Sequence, residues 1–188
     1  MRLLQWKFAL PLIGAALAIT AGRMVADWST PAGPPATPVE AGFEMFAHER
    51  YSQAELKFDQ ARTLDPGDGE AYHGLALVAL ARHGDIVRAE ALFREAIARP
   101  GTSPVAYANF GRFLIAEERY EDAIPVLEAG LVKNHEFPPL RARLAIALHA
   151  AGRAEAACRM ARSLGDDVPD AEEALVEMIR EAPDCVTR

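Results

Sequence analysis

The sequence has little of the residue types that define several protein classes. Only two cysteines occur in 188 residues, which excludes a disulfide-dense miniprotein. The five histidines stand one per segment, with no second histidine or cysteine at metal-ligand spacing; they are His48, His73, His83, His135 and His149. We therefore expect no metal site.

Sequence motifs of catalysis are also missing. There is no glycine-rich run that could cradle a phosphate, no Gly-x-Ser-x-Gly elbow and no Cys-x-x-Cys-His haem attachment site. The sequence thus predicts a protein that is not an enzyme, with no catalytic residue and no bound cofactor.

Positive charge is scarce over most of the chain. The net charge is -7, and residues 1–28 are basic because Arg2, Lys7 and Arg23 outnumber Asp27. The remainder is therefore more acidic than the whole. Since nucleic-acid binders neutralise phosphates with basic surfaces, this distribution argues against a nucleic-acid partner.

What the chain does contain is a helical-pair pattern, seen best between Pro104 and Phe137. Larger apolar or aromatic residues recur there at helical spacing, at Tyr107, Phe110, Leu114, Tyr120, Leu127 and Leu131. Small residues at Gly111, Ala123 and Gly130 mark where two helices should touch closely. A polar turn at 117–119 separates the two helices.

The same pattern returns on both sides at nearly the same period. The first copy carries Gly42, Met45, Tyr51, Ala54, Phe58 and Ala61. The second carries Tyr72, Ala79, Ala89, Phe93, Ala96 and Pro100, with one extra residue in the turn near His83. The fourth carries Leu144, Leu148, Gly152, Ala157, Ala161 and Leu164.

This pattern resembles the tetratricopeptide repeat, whose period is about 34 residues. The resemblance implies an all-α, right-handed solenoid over residues 38–167, with about four helix pairs at 38–66, 69–101, 104–137 and 138–167. In that family the first helix of each pair lines the concave face. Stability comes from stacking each pair on its neighbours.

The segments that flank the repeats are predicted to be a linker before them and a capping helix with a short tail after them. Residues 29–37 form a proline-rich linker, which favours an extended stalk or an unstructured spacer. Residues 168–183 predict a capping helix that Asp170 caps and Pro183 ends, with Leu175, Met178 and Ile179 facing the last repeat. Residues 184–188 form a short tail.

Residues 1–28 leave two interpretations open. The uncharged run Phe8–Ala21 follows basic residues, as in a secretory signal, and cleavage near Ile19 or Gly22 would release a soluble secreted protein. If the apolar zone instead extends over residues 3–26, it is an uncleaved signal anchor, with Trp6 and Trp28 at the membrane interfaces. The anchor is the interpretation we adopt.

With an anchor, the basic N-terminal end predicts a single-pass inner-membrane protein. Its N-terminus would be cytoplasmic, and its repeats would lie in the periplasm. Cys158 and Cys185 could then form a disulfide that pins the tail to the fourth repeat. The alternative is one buried and one free thiol.

The family resemblance also implies a binding surface for proteins or peptides on the concave face. Its positions here are Phe43, Phe46, His73, Leu77, Leu80, Arg112, Ile115, Ile146 and His149. The aliphatic members could equally pack between neighbouring helices. His73, Arg112 and His149 are the least easily explained by packing.

One subgroup of the family clamps the C-terminal carboxylate of chaperones. Asn109 and Arg143 match two of its positions, whereas His73, Leu77 and Pro139 occupy the others. With most of the positive charge missing, we do not expect carboxylate capture of that type, and we predict that Asn109 serves inter-helix hydrogen bonding. The predicted function is a membrane-anchored scaffold that docks subunits or assembly clients of a membrane-associated complex.

Overall fold

A computed structural model of the chain describes residues 37–170, 172–182 and 185. The predictions for residues 1–28, for most of the linker at 29–37 and for most of the tail lie outside this range. No helix among the described residues combines the length and hydrophobicity needed to cross a bilayer.

Nine α-helices and no strand make up the described part of the chain, so the all-α prediction is confirmed. They are α1 (Pro38–Ala47), α2 (Tyr51–Leu64), α3 (Gly69–Val78), α4 (Ile86–Ile97), α5 (Pro104–Ala116), α6 (Tyr120–Lys133), α7 (Pro138–Ala150), α8 (Ala154–Ser163) and α9 (Glu173–Glu181).

The first eight helices form four pairs that stack in chain order. Each odd-numbered helix packs on the next even-numbered one, and each pair then packs on the pair that follows. Because turns as short as residues 117–119 join the partners, the two helices of a pair run antiparallel. The predicted solenoid of helix pairs is therefore the observed architecture.

A left-handed backbone residue recurs in the turn inside each pair. Glu49, Gly84, Glu118 and Gly152 hold this position, with φ between 57° and 76°. The extra residue predicted near His83 is accommodated just before it, where α3 ends in a π-helical turn, Ala79–His83. The second pair therefore closes with the same turn geometry as the others.

The small residues singled out in the third pair lie at close helix contacts. A methyl group added at Gly111 would collide with the side chain of Leu127, and one added at Gly130 would collide with Tyr107 and Leu140. Ala123 is fully buried. The sequence prediction that these three positions mark helix crossings is confirmed.

The core side chain at one position of the second helices becomes smaller towards the C-terminus. Phe58, Phe93, Leu127 and Ala161 occupy this position in successive pairs, and all four are fully buried. The ring of Phe58 lies against Gly42 of α1 and Gly74 of α3. Glycines thus accommodate the largest side chain of the series, which joins the first two pairs.

Helix α9 packs on α7 and α8, as a capping helix should, but in a different register from the predicted one. It begins at Glu173 and receives no side-chain cap, so the predicted cap by Asp170 is wrong. Val176 and Ile179 are its buried apolar residues, whereas Leu175 and Met178 are 46% and 51% exposed.

Polar contacts to the fourth pair explain this register. Arg180 donates hydrogen bonds from Nε and Nη2 to the carbonyl of Ala161 and from Nη2 to that of Gly165. Just before the helix, Glu172 pairs with Arg143 of α7. These bonds turn the side of α9 that carries Val176 towards the fourth pair. The spacing of apolar residues in the sequence could not show whether Leu175 or the adjacent Val176 faces inwards.

Candidate partner-binding surface

The nine residues predicted to bind a partner all lie on the first helices of the pairs or on the turn that extends one. Phe43 and Phe46 are on α1, His73 and Leu77 on α3, Leu80 in its π-helical turn, Arg112 and Ile115 on α5, and Ile146 and His149 on α7. We call this set the first-helix surface. One of its members, His73, is buried.

Aromatic residues form the N-terminal end of the first-helix surface. Phe43 meets the ring of Phe58 edge-on with centroids 4.9 Å apart, and it lies 5.5 Å from the ring of His73. Phe46 contacts Tyr51 at 5.3 Å. Both phenylalanines remain partly exposed while their inner edges complete the core, so they offer apolar area on a rigid base.

The aliphatic residues of this surface have the same double character. Leu77, Leu80, Ile115 and Ile146 are partly exposed, and each packs against the larger hydrophobic core. Their inner faces therefore pack between neighbouring helices, and their outer faces remain accessible to a partner.

His73 is a structural residue of the core, because only 1% of its surface is exposed. Its Nδ1 lies 3.2 Å from Oε2 of Glu70, and its Nε2 lies 3.0 Å from Nδ2 of Asn109. A carboxylate only accepts, so Nδ1 donates to Glu70 and Nε2 accepts from Asn109. The predicted use of Asn109 in inter-helix hydrogen bonding is confirmed.

Glu70 extends this network to the next pair. Its Oε1 accepts a hydrogen bond from the backbone N–H of Ser103, 2.8 Å away at the start of α5. Burial acts to raise the pKa of Glu70, but the bonds from His73 and Ser103 outweigh it and leave the pKa below its ordinary value. Sequence analysis missed this network because Ser103 and Asn109 lie about one repeat away from Glu70 and His73.

Two polar members of the first-helix surface remain open to solvent. Arg112 is exposed, and His149 is partly exposed. Neither has an ion pair among the described residues. Arg112 is therefore a cation next to apolar area, suited to an acidic group beside an apolar one.

Arg143, one of the two residues that match the carboxylate clamp, is used internally. Its Nε donates to Oε1 of Glu172 at 2.7 Å, and both side chains are largely buried. Oε2 of Glu172 is buried without a hydrogen-bond partner among the described residues. The pair attaches the start of α9 to α7 and leaves Arg143 closed to a peptide carboxylate.

The second helix of each of the first three pairs carries a glutamate that forms ion pairs with arginines of the next pair, a feature that sequence analysis did not find. Glu55 of α2 binds Arg82 and Arg88 of the second pair, Glu90 of α4 binds Arg119, and Glu121 of α6 binds Arg153. The arginines at the turn before α6 and α8 were the available signal. Each bond crosses a junction between stacked pairs.

Glu55 is the carboxylate with the most partners in this series. Burial acts to raise its pKa, but His83 and the charges of Arg88 and Arg82 hold that pKa below its ordinary value. The charged form is therefore favoured in the folded protein, at a junction where two helix pairs meet.

Grooves run between successive second helices. The groove between α4 and α6 holds a cavity of about 250 Å³. The groove between α6 and α8 is lined by the equivalent residues of the next repeat, each 34 positions later in the sequence, as Leu148 is to Leu114. This α6/α8 groove is larger, with two adjoining cavities of about 450 and 420 Å³ that share Met160 and Ser163.

Cys158 of α8 lies close to Cys185, which follows α9 in the chain. The structure joins them as a disulfide with Cα atoms 5.5 Å apart, and both residues are buried. Arg162 also donates a hydrogen bond to the carbonyl of Cys185. Cys185 is thus fixed to the second helix of the fourth pair.

The residues of the first-helix surface are suited to non-covalent binding of a partner. In the part of the chain that the structure describes, no group of histidines, cysteines and carboxylates could hold a metal ion. The first-helix surface instead combines fixed apolar area with an exposed guanidinium, which suits the burial of another polypeptide.

Comparison with protein-family models gives two matches, both to the tetratricopeptide repeat. One covers residues 45–104 and the other residues 114–176, so together they span most of the four helix pairs. No curated protein sequence matches the chain.

Solved structures with the same fold include YrrB, described as a tetratricopeptide repeat protein with an unusual peptide-binding site. It is 16% identical with a TM-score of 0.61, and the match covers 81% of each chain. PilF of Pseudomonas aeruginosa is 19% identical with a TM-score of 0.66, covering 76% of this chain and 66% of pilF.

A third structure is TTC0263 of Thermus thermophilus, 22% identical with a TM-score of 0.60, covering 76% of this chain and 79% of TTC0263. At such identities the likeness concerns the fold alone. The stacked helix pairs, their recurring turn geometry and the two family matches lead to one conclusion: the chain belongs to the tetratricopeptide repeat family.

Proposed function

We propose that this protein is a membrane-tethered scaffold whose repeats lie outside the cytoplasm and dock subunits or assembly clients of a membrane-associated complex. Repeats of this family form scaffolds that bind proteins or peptides. The membrane tether, the compartment and the kind of client are the proposed part.

The observation that carries the binding role is the first-helix surface. Its apolar residues are held by the core, so little conformational entropy is lost when a partner covers them. Each square ångström of apolar surface so covered contributes about 25 cal/mol. Arg112 adds a charge that selects partners with an acidic group next to an apolar one.

Two features support a location outside the cytoplasm. Disulfides persist in oxidising compartments, and the Cα atoms of Cys158 and Cys185 lie 5.5 Å apart, a separation that a disulfide spans. The amino-acid sequence of residues 3–26 is apolar enough for an anchor. A secreted form released by signal cleavage is the second candidate, which the same disulfide favours equally.

Binding is tested by affinity purification of the full chain from detergent extracts. Arg112→Glu should remove most of the co-purifying protein, because the variant repels an acidic partner. Arg62→Glu is the matched control, since Arg62 is an exposed arginine on the second helix α2. Equal recovery of partners with wild type and Arg112→Glu would refute the first-helix surface as the binding site.

Anchoring is tested on the native protein by membrane fractionation and N-terminal sequencing. An intact Met1 in the carbonate-resistant membrane fraction supports the tether. A mature chain that starts near Ile19 or Gly22 in the soluble extracytoplasmic fraction replaces it with the secreted alternative. Protease added from the cytoplasmic side should not digest the repeats in either case.

A further inference from the structure

Helix α9 has few non-covalent features that would hold it on the stack. It has nine residues, and isolated helices of that length are marginal in water. No side chain among the described residues caps its N-terminus, and its buried residues are Val176 and Ile179 alone. Ten positions separate the end of α8 at Ser163 from the start of α9 at Glu173, so docking α9 also orders this connection.

The polar contacts of α9 set its register but add limited attachment. Arg180 donates hydrogen bonds to the carbonyls of Ala161 and Gly165. The Arg143–Glu172 ion pair is largely closed to water, and Oε2 of Glu172 is buried there without a hydrogen-bond partner among the described residues. Because an unpartnered buried carboxylate oxygen costs free energy, this ion pair stabilises the docked helix less than a fully bonded one would.

The disulfide supplies a covalent attachment at the same contact. Cys158 lies on α8, and Cys185 follows the last residue of α9, Glu181. The bond joins residues 27 positions apart and closes a loop that contains the whole of α9. Closing a loop of this size removes most conformations of the undocked segment, and in the chain-entropy model it favours the docked arrangement by about a hundredfold or more.

A docked α9 and accessible sulfurs exclude each other. Cys158 is 5% exposed and Cys185 is 2% exposed in the docked arrangement. Thiol–disulfide exchange proceeds by direct attack of one sulfur on another, so a reagent must reach one of these two atoms. Exchange at either cysteine therefore requires α9 to be undocked.

We infer that α9 caps the stack only after Cys158 and Cys185 have been oxidised, so that capping depends on the redox conditions of the compartment. The oxidant is a disulfide donor of the dithiol–disulfide class. The thiolate of one cysteine attacks the donor's disulfide and forms a mixed disulfide. The thiolate of the other cysteine then attacks the cysteine sulfur of that bond. The donor takes up the two electrons and two protons and leaves as a dithiol.

Docking of α9 then buries the new bond and protects it from reductants. In a reducing compartment the chain would keep both thiols, and the end of the fourth pair would stay uncapped. This behaviour goes beyond the docking of clients, because it concerns the opposite end of the stack from Phe43 and Phe46 and does not involve the first-helix surface.

Hydrogen exchange on the detergent-solubilised full chain tests whether docking depends on the bond. Wild type is measured oxidised, and again after reduction in denaturant and refolding with a reductant present. We expect the amides of α9 to exchange about tenfold faster or more in the reduced state, with α5 and α6 unchanged. A variant with Cys158→Ser and Cys185→Ser should match the reduced state. Equal protection of α9 in both states, or loss of protection in all helices, would overturn the proposal.

The rate of reduction by dithiothreitol tests whether docking shields the bond. Val176→Ala removes buried apolar volume from α9 and should speed reduction by about fivefold or more. Leu175→Ala is the matched control, since Leu175 is 46% exposed on the same helix, and it should leave the rate unchanged. Equal rates for wild type and Val176→Ala, or equal acceleration by both variants, would also overturn the proposal. Neither experiment bears on the first-helix surface or on the membrane tether.

Discussion

His73 of α3 accepts a hydrogen bond from Asn109 of α5 across 3.0 Å, and this partly buried bond joins the second and third helix pairs. It uses a histidine that the family pattern assigns to the partner-binding face. Together with Glu70 and Ser103, it makes the first helices of these two pairs a single hydrogen-bonded unit. This unit fixes α3 to α5, two of the helices that carry the first-helix surface.

Asn109→Ala should lower the free energy of unfolding by about 1–3 kcal/mol, because the buried Nε2 of His73 loses its donor. Chemical denaturation monitored by circular dichroism measures the change. Gln53→Ala, an exposed amide on α2, is the control and should stay within about 0.5 kcal/mol of wild type. Equal stability of Asn109→Ala and wild type would show that the bond adds nothing to the fold.

Gly74→Ala should destabilise the protein by about 1–3 kcal/mol, because the new methyl group would overlap the ring of Phe58. The double variant with Phe58→Leu, a smaller side chain, tests the cause. If the ring is the obstacle, the double variant loses less stability than the sum of the single changes. Strict additivity would contradict this explanation.

Glu118→Gly should stabilise the protein by about 0.5–1 kcal/mol, because Glu118 has φ of 57°, which costs energy for residues with a Cβ. Thermal unfolding measures the gain. The neighbouring Glu117 has φ of -85°, so Glu117→Gly should instead destabilise by a similar amount. A loss of stability in both variants would argue against strain at this turn.

Acid should unfold the protein partly through Glu70 and Glu55, whose pKa values lie below the ordinary 4.5. A carboxyl whose pKa is lowered by folding stabilises the protein above 4.5, and this contribution is lost as the pH falls through the lowered value. We therefore expect stability to decline below about pH 4.5, as measured by denaturation from pH 7 to pH 3.

The Glu70→Gln variant measures how much Glu70 contributes to the pH dependence of stability. The variant should be less stable than wild type at pH 7, since hydrogen bonds to a charged acceptor are replaced by bonds to a neutral one. Its stability should also decline less steeply below pH 4.5, the ordinary value for a glutamate. The exposed Glu44→Gln variant controls for loss of charge at pH 7. Parallel pH curves for wild type and Glu70→Gln would contradict the role of Glu70.

Much of the fold could be predicted because the repeat is a local pattern that occurs several times. Gly111, Ala123 and Gly130 indicated helix crossings from their spacing alone, and the extra residue near His83 indicated an irregular turn. The binding site was less predictable, since a histidine on a first helix can face a partner or the next pair. Only the neighbours of His73 decided that it faces inwards.

The sequence alone determined the stacked helix pairs, because apolar, glycine and alanine residues recur at a period that only paired helices can bury together. The tertiary structure decided which polar and apolar residues remain available. It buried His73 and Glu172, and it turned Val176 rather than Leu175 inwards. These outcomes depend on side chains about one repeat away or on a different helix, and such contacts leave no period in the sequence.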